Sequence, residues 1–181
     1  MRIVVREIVK NIVNIFKSND EGLFTLNRDD YFIIYDEFIK IVLSLDVDNT
    51  LDSYNIDGNF YQNEKIIFIS ITYNRNKKNK LLYNIIGELN EVVRHELEHL
   101  HQDVYKTHDL NVNEPSEPFN YYSQPHEIEA QVKGFKRLAK LTKQPLEKVI
   151  RNWFNTHKDI HLLSEDEIEI IINLLLFKSL N

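Results

Sequence analysis

Val93-Arg94-His95-Glu96-Leu97-Glu98-His99-Leu100 is the stretch on which the reading of this chain turns. It is an H-E-x-x-H pattern inside a longer helical run, Leu81 to about Val104. Apolar residues recur in that run at positions 82, 85, 86, 89, 92, 93, 97 and 100. Two histidines four apart share a helix face, about 6 Å apart along the axis. Their rings can converge on one metal ion, and Glu96 can point at a water beside it. Val92, Val93, Leu97 and Leu100 require the motif helix to be packed. A packed His pair with a carboxylate is costly unless a metal or hydrogen bonds satisfy it.

A hydrolytic metal site needs a third protein ligand and one open position. His101 and His108 stand at the wrong spacing for a third histidine. The better candidate opens the next helix: Pro125-His126-Glu127-Ile128-Glu129-Ala130-Gln131. Proline suits the first helical position. Ala130 and Gly134 share the Glu127 face and permit close approach to the motif helix. Glu129 points about 200° away from Glu127, so it is the alternative ligand and not a fourth one. Glu98 either faces solvent or pairs with Arg94 one turn earlier.

The rest of the chain reads as one α+β domain, 1–181. Residues 2–18 form an amphipathic helix. Leu23 to Leu26 is a short strand. Tyr31 to Val47 is strand-like, with Ile39, Ile41, Leu43, Leu45 and Val47 alternating against polar residues. Its expected partners are Ser53–Ile56 and Lys65–Tyr73 around an Asp57-Gly58 turn, giving a small, mostly antiparallel sheet. Residues 1–80 are thus helix plus sheet. Residues 81–142 hold the motif helices and an aperiodic loop, 105–124. Residues 143–181 hold C-terminal helices, about 145–157 and 165–179. Ser164-Glu165-Asp166-Glu167 is a capping box for the last one. Trp153-Phe154 and the Ile168–Phe177 run are core-building faces; an exposed patch there would mean a protein interface.

Composition narrows the function classes. The 181 residues are 43% hydrophobic and 28% charged, which excludes a disordered or fibrous chain. No apolar run reaches the length of a membrane span, and Arg2, Arg6, Glu7 and Lys10 interrupt the N-terminal segment. The expectation is therefore no membrane and no signal peptide. With no cysteine, disulfides, iron–sulfur clusters and thiolate zinc sites are excluded. A net charge of −6 argues against nucleic-acid binding. The Arg75, Lys77, Lys78, Lys80 cluster reads as a solvated turn. Ile (22) and Asn (20) far outnumber Ala (2), a bias that suits an AT-rich genome of a low-GC bacterium or its phage.

His95-Glu96-x-x-His99 followed by Glu127-x-x-Ala130 resembles the gluzincin type of zincin metallopeptidase. In compact size and in the E-x-x-A form it is similar to minigluzincins and to the ImmA/IrrE group. The resemblance spans about residues 81–142. It implies a zincin-like fold, with an edge strand above the metal that binds substrate backbone. It further implies Zn²⁺ held by His95, His99 and Glu127, with Glu96 as general base and then acid on a peptide or protein substrate. Zincins often place a Tyr or His donor at the oxyanion. Tyr121 and Tyr122 are the candidates here, and as a loop pair they can also simply pack; His101, His108 and His126 are further donors. Several gluzincin families carry Asp where this chain has Gln131, so the sequence names no partner for the ligand histidines' outer nitrogens.

Two functional expectations result. The first is a zinc-dependent peptidase, cytoplasmic, or in the virion if phage-encoded. The alternative is a zincin-fold structural or interaction protein of a phage particle, with or without residual activity. It would meet other chains of a large assembly through loop 105–124 and the termini. A DNA-linked regulatory role has neither a helix-turn-helix nor a basic face to support it.

Overall fold

The computed structural model describes residues 2–26, 32–108, 110 and 117–180. It is an α+β protein. Helix α1 (Arg2–Ser18) buries Val5, Ile8, Val9, Ile12 and Phe16 along one stripe, as its 3.6-residue spacing requires. Strand β1 (Gly22–Thr25) follows, then β2 (Phe32–Ile34) and β3 (Glu37–Val47). The stretch read as one strand from Tyr31 is therefore two. Tyr35 and Asp36 both have positive φ (55° and 64°) and close a tight two-residue hairpin between them. Tyr31 itself lies outside the described residues.

Strands β4 (Tyr54–Tyr61) and β5 (Ile66–Tyr73) complete the sheet, in the order β1-β3-β5-β4, with β2 also on β3. Two expectations are corrected here. Asp57-Gly58 is not a turn but lies inside β4; the chain reverses over residues 62–65, where Lys65 takes a positive φ. And β3 pairs with β5 in parallel, while β4 pairs antiparallel with β5 alone. The other pairings are antiparallel, so the sheet is mostly antiparallel with one parallel step. Inserting β5 between β3 and β4 buries Ile67, Ile69, Ile71 and Tyr73 against Ile39, Ile41, Leu43 and Leu45, and leaves β4 as the outer edge.

After a 3-10 turn at Arg75–Lys77, helix α2 (Lys78–Tyr105) crosses that buried face with α1. The basic cluster at its start is tied down: Lys77 pairs with Asp52 and Lys78 with Asp20. Inside loop 105–124 there is a short helix, α3 (Pro118–Tyr122); residues 109 and 111–116 lie outside the described residues. Helices α4 (Pro125–Thr142), α5 (Leu146–His161) and α6 (Glu165–Ser179) form a second apolar cluster around Phe135, Ile150, Phe154 and Ile171. Pro145 caps α5 instead of opening it, and the helix runs one turn past the expected 157, to a left-handed Leu162. The Ser164 capping box forms as read, with both Ser164 and Glu167 accepting backbone N–H bonds.

Helix α4 lies along α2, and small residues set the distance. Ala130 is fully buried. A Cβ on Gly134 would stand 2.7 Å from Glu91 Oε1 and 3.0 Å from the Glu91 carbonyl oxygen. At the other end of the motif helix, buried Asp103 accepts hydrogen bonds from Gln62, Lys65 and Lys106, pinning the β4–β5 turn to α2. Among the described residues no helix is long and apolar enough to cross a membrane.

Candidate metal centre

Helical spacing on α2 brings His95 and His99 edge to face, with their Nε2 atoms 2.9 Å apart. Pro125 starts α4 so that Glu127 falls in its first turn, pointed back at α2. Its carboxylate completes a triangle: Oε2 is 3.4 Å from His95 Nε2 and Oε1 is 3.3 Å from His99 Nε2. One ligand atom from each residue lies within 4.8 Å of the others. Glu129, the alternative ligand, is drawn away to His108 at 2.9 Å and to Lys178.

The chemistry of this group fits a cation. Gln102, one turn beyond His99 and fully buried, donates its Nε2 to the His126 carbonyl. Its amide oxygen therefore faces His99 Nδ1 at 2.9 Å and can only accept. In the neutral form of His99 the proton therefore sits on Nδ1, which leaves the Nε2 lone pair for the cluster. Glu127 Oε2 is buried and lacks a hydrogen-bond partner, a second sign of an unfilled electrostatic demand. Burial alone would push His99 down, but the hydrogen bond and charge of Glu127 raise it to about 9. Burial would raise Glu127, yet the two imidazoles of His95 and His99 beside it hold it well below the carboxylate range. Protons and a metal ion compete for these same electron pairs.

Glu96 is 4% exposed. Burial pushes its carboxyl up, partly offset by the two histidines, and its Oε1 lies 3.9 Å from His95 Nε2. Gly58 of edge strand β4 lies directly over it: a Cβ there would stand 2.6 Å from Val92 Cγ1 and 2.8 Å from Glu96 Oε1. Only glycine lets the strand sit this low. Two cavities, of 270 and 120 Å³, open on either side of this contact, and both reach Glu96 and Glu127.

The two tyrosines separate. Tyr121 hydrogen-bonds Glu127 and lines both cavities; burial and the nearby carboxylates push its hydroxyl up, keeping it a proton donor. Tyr122 also reaches the larger cavity, but its ring packs on Trp153 and Phe154 in the second apolar cluster. His126 approaches the edge of the group, 3.6 Å from Glu127 Oε1. His101 is elsewhere, its ring edge-on to Tyr35 and tilted against Tyr105. Glu98 is buried, with Arg94 at 2.6 Å, so of its two readings the ion pair holds and the solvent-facing one does not. Gln131 is also buried, and neither of its amide atoms has a partner.

Sequence reasoning missed Gln102 and Gly58. Gln102 shares the helix face of His99 at i+3, a spacing that could have nominated it. Gly58 carries no local signal for its role, because Asp-Gly reads as a turn.

The class these features define is an α+β protein with a two-histidine, one-carboxylate group on a helix pair beneath a sheet edge. No protein-family model, curated protein or solved structure matches the chain.

Proposed function

We propose that this protein is a zinc-dependent metallopeptidase of the gluzincin type. The observation that carries the reading is the convergence of His95, His99 and Glu127 next to buried Glu96, in a cleft roofed by β4, whose outer edge pairs with no strand among the described residues. His95, His99 and Glu127 would hold the ion. When bound, zinc supplies Lewis acidity toward a carbonyl and lowers the pKa of a water. The remaining steps belong to the chain. The outer edge of β4 pairs the substrate backbone as an added strand. The Glu96 carboxylate accepts the proton of the attacking water and delivers it to the leaving amine. The Tyr121 hydroxyl donates to the developing oxyanion. The substrate is a peptide or protein, and the location is the cytoplasm, or a virion if the chain is phage-encoded.

The test pairs metal analysis with one substitution. Wild type is expected to carry about one zinc per chain and to cleave a denatured protein substrate. Glu96→Gln is expected to keep the metal and the fold and to lose about 10²–10⁴-fold in turnover. A wild-type chain that takes up no zinc, or a Glu96→Gln protein as active as wild type, refutes the reading.

One observation favours a second reading, an interaction protein of a larger particle. Ile170, Leu174 and Phe177 form an exposed stripe on α6, and Leu23 and Ile33 are exposed on the strands beside β3.

A further inference from the structure

The larger cavity extends past the metal ligands along the N-terminal half of α2. Its walls there are apolar, with Ile56 and Val92 from one side and Phe135 and Trp153 from the other. Its end is acidic. Glu88 and Glu91 lie one turn apart on α2, and among the described residues no lysine or arginine lines the cavity.

The two carboxylates differ. Glu88 already has partners, the Tyr54 hydroxyl and His157 Nε2 at 3.4 Å. Glu91 is 5% exposed, and what acts on its carboxyl is burial together with the negative charges of Glu88 and Glu96. Among the described residues no hydrogen bond or ion pair to Glu91 offsets them. From α4, Gln131 adds a side chain 4% exposed whose Oε1 and Nε2 are both unpartnered. A buried amide with neither end paired carries a desolvation cost, and a buried carboxylate with no opposite charge beside it carries another. A ligand that fills the cavity removes that cost.

The lining selects among ligands. A leucine side chain would satisfy the walls and leave Glu91 and Gln131 unpaired. A glutamate would meet like charge. A lysine or arginine presents an aliphatic stem to the walls and a donor head to the acidic end. We infer that this cavity is a specificity pocket for the lysine or arginine side chain of the substrate residue next to the scissile bond, with Glu91 and the Gln131 amide oxygen receiving its charged head. The inference rests on the peptidase reading and adds the substrate class.

Two measurements on the full zinc-treated chain test it. In the first, wild type digests a mixture of denatured proteins, and the residues flanking each cut are counted. Enrichment of Lys and Arg at one flanking position is expected, lost in Glu91→Gln, with Gln131→Leu as a second variant should the first not fold. Cleavage without basic enrichment overturns the pocket and leaves the peptidase standing. The second measurement does not need turnover. Glu96→Gln protein is titrated with acetylated, amidated alanine pentapeptides carrying Lys, Arg, Leu or Glu at the centre. The Lys and Arg peptides are expected to bind about tenfold or more tightly than the Leu peptide. That preference should vanish in the Glu96→Gln, Glu91→Gln double variant. Equal binding of all four peptides, or binding of none, overturns the pocket even if no cleavage is ever seen. A Glu91-dependent preference without cleavage upholds the pocket and sinks the peptidase reading instead.

Discussion

His99 Nδ1 donates to Gln102 Oε1 at 2.9 Å, and the same glutamine donates to the backbone of His126 beside Glu127. One side chain thus sets the tautomer of one candidate ligand and ties the motif helix to the helix that brings Glu127. Gln102→Leu is expected to weaken zinc binding about 10–100-fold without abolishing the site. Competition against a chromophoric chelator measures this; unchanged affinity would show that His99 needs no outer partner.

The separation of the tyrosines makes a paired prediction. Tyr121→Phe removes a hydroxyl that bonds Glu127, and turnover should fall about 10²-fold with zinc content intact. Tyr122→Phe keeps the ring that packs on Trp153 and Phe154, so turnover should stay near wild type. Steady-state kinetics on both variants decide it, and the reverse ranking would assign the donor to Tyr122.

Alanine at Gly134 pits two effects against each other. As a helix former alanine gains about 1 kcal/mol over glycine. Its Cβ would also meet the Glu91 carbonyl oxygen at 3.0 Å, and that backbone atom cannot swing aside as the Glu91 carboxylate can. The clash should win, with a net loss of about 1–3 kcal/mol in chemical denaturation. A stabilised Gly134→Ala protein would mean that α2 and α4 separate freely.

Gly58→Ala probes the other close approach. The new methyl meets Val92 and Glu96 below 3 Å, so β4 must lift from α2. Hydrolysis is expected to fall by at least about tenfold, with a stability loss of about 1–3 kcal/mol. Parallel activity and melting measurements read both, and wild-type activity would show that strand height over Glu96 is unimportant.

Metal-free protein should lose stability as pH rises. His99 is raised to about 9 from 6.5 on folding, so its contribution is fully present below 6.5 and is lost as pH climbs through 9. His157, raised by Glu88 despite its burial, acts in the same direction. Zinc affinity should rise over the same interval as the competing proton leaves. Melting temperatures of chelator-treated protein between pH 6.5 and 9 test the sign, and a Tm that climbs with pH would contradict it.

Local patterns were readable where the responsible physics is local. The apolar stripe of α1, the alternation of β3 and the Ser164 capping box each depend on residues within a few positions of one another. The same holds for the His95, Glu96, His99 face and for Pro125 placing Glu127 in a first helical turn. Asp57-Gly58 misled because a turn and a close strand-to-helix contact demand glycine for different reasons, and only the second involves a distant residue.

By itself the sequence determined an α+β chain with a two-histidine helix and a carboxylate-bearing helix after it. Hydrophobic period and capping chemistry are written along the chain. Tertiary structure alone decided that β5 enters between β3 and β4, which leaves β4 without a second strand partner among the described residues. It also decided that Gln102 holds His99, that Glu129, the alternative the sequence left open, turns to His108, and that Glu91 lines one cavity with Gln131, whose buried amide has no partner. Each of these depends on which distant surfaces pack together, and that follows from the summed burial of whole elements and not from any local motif.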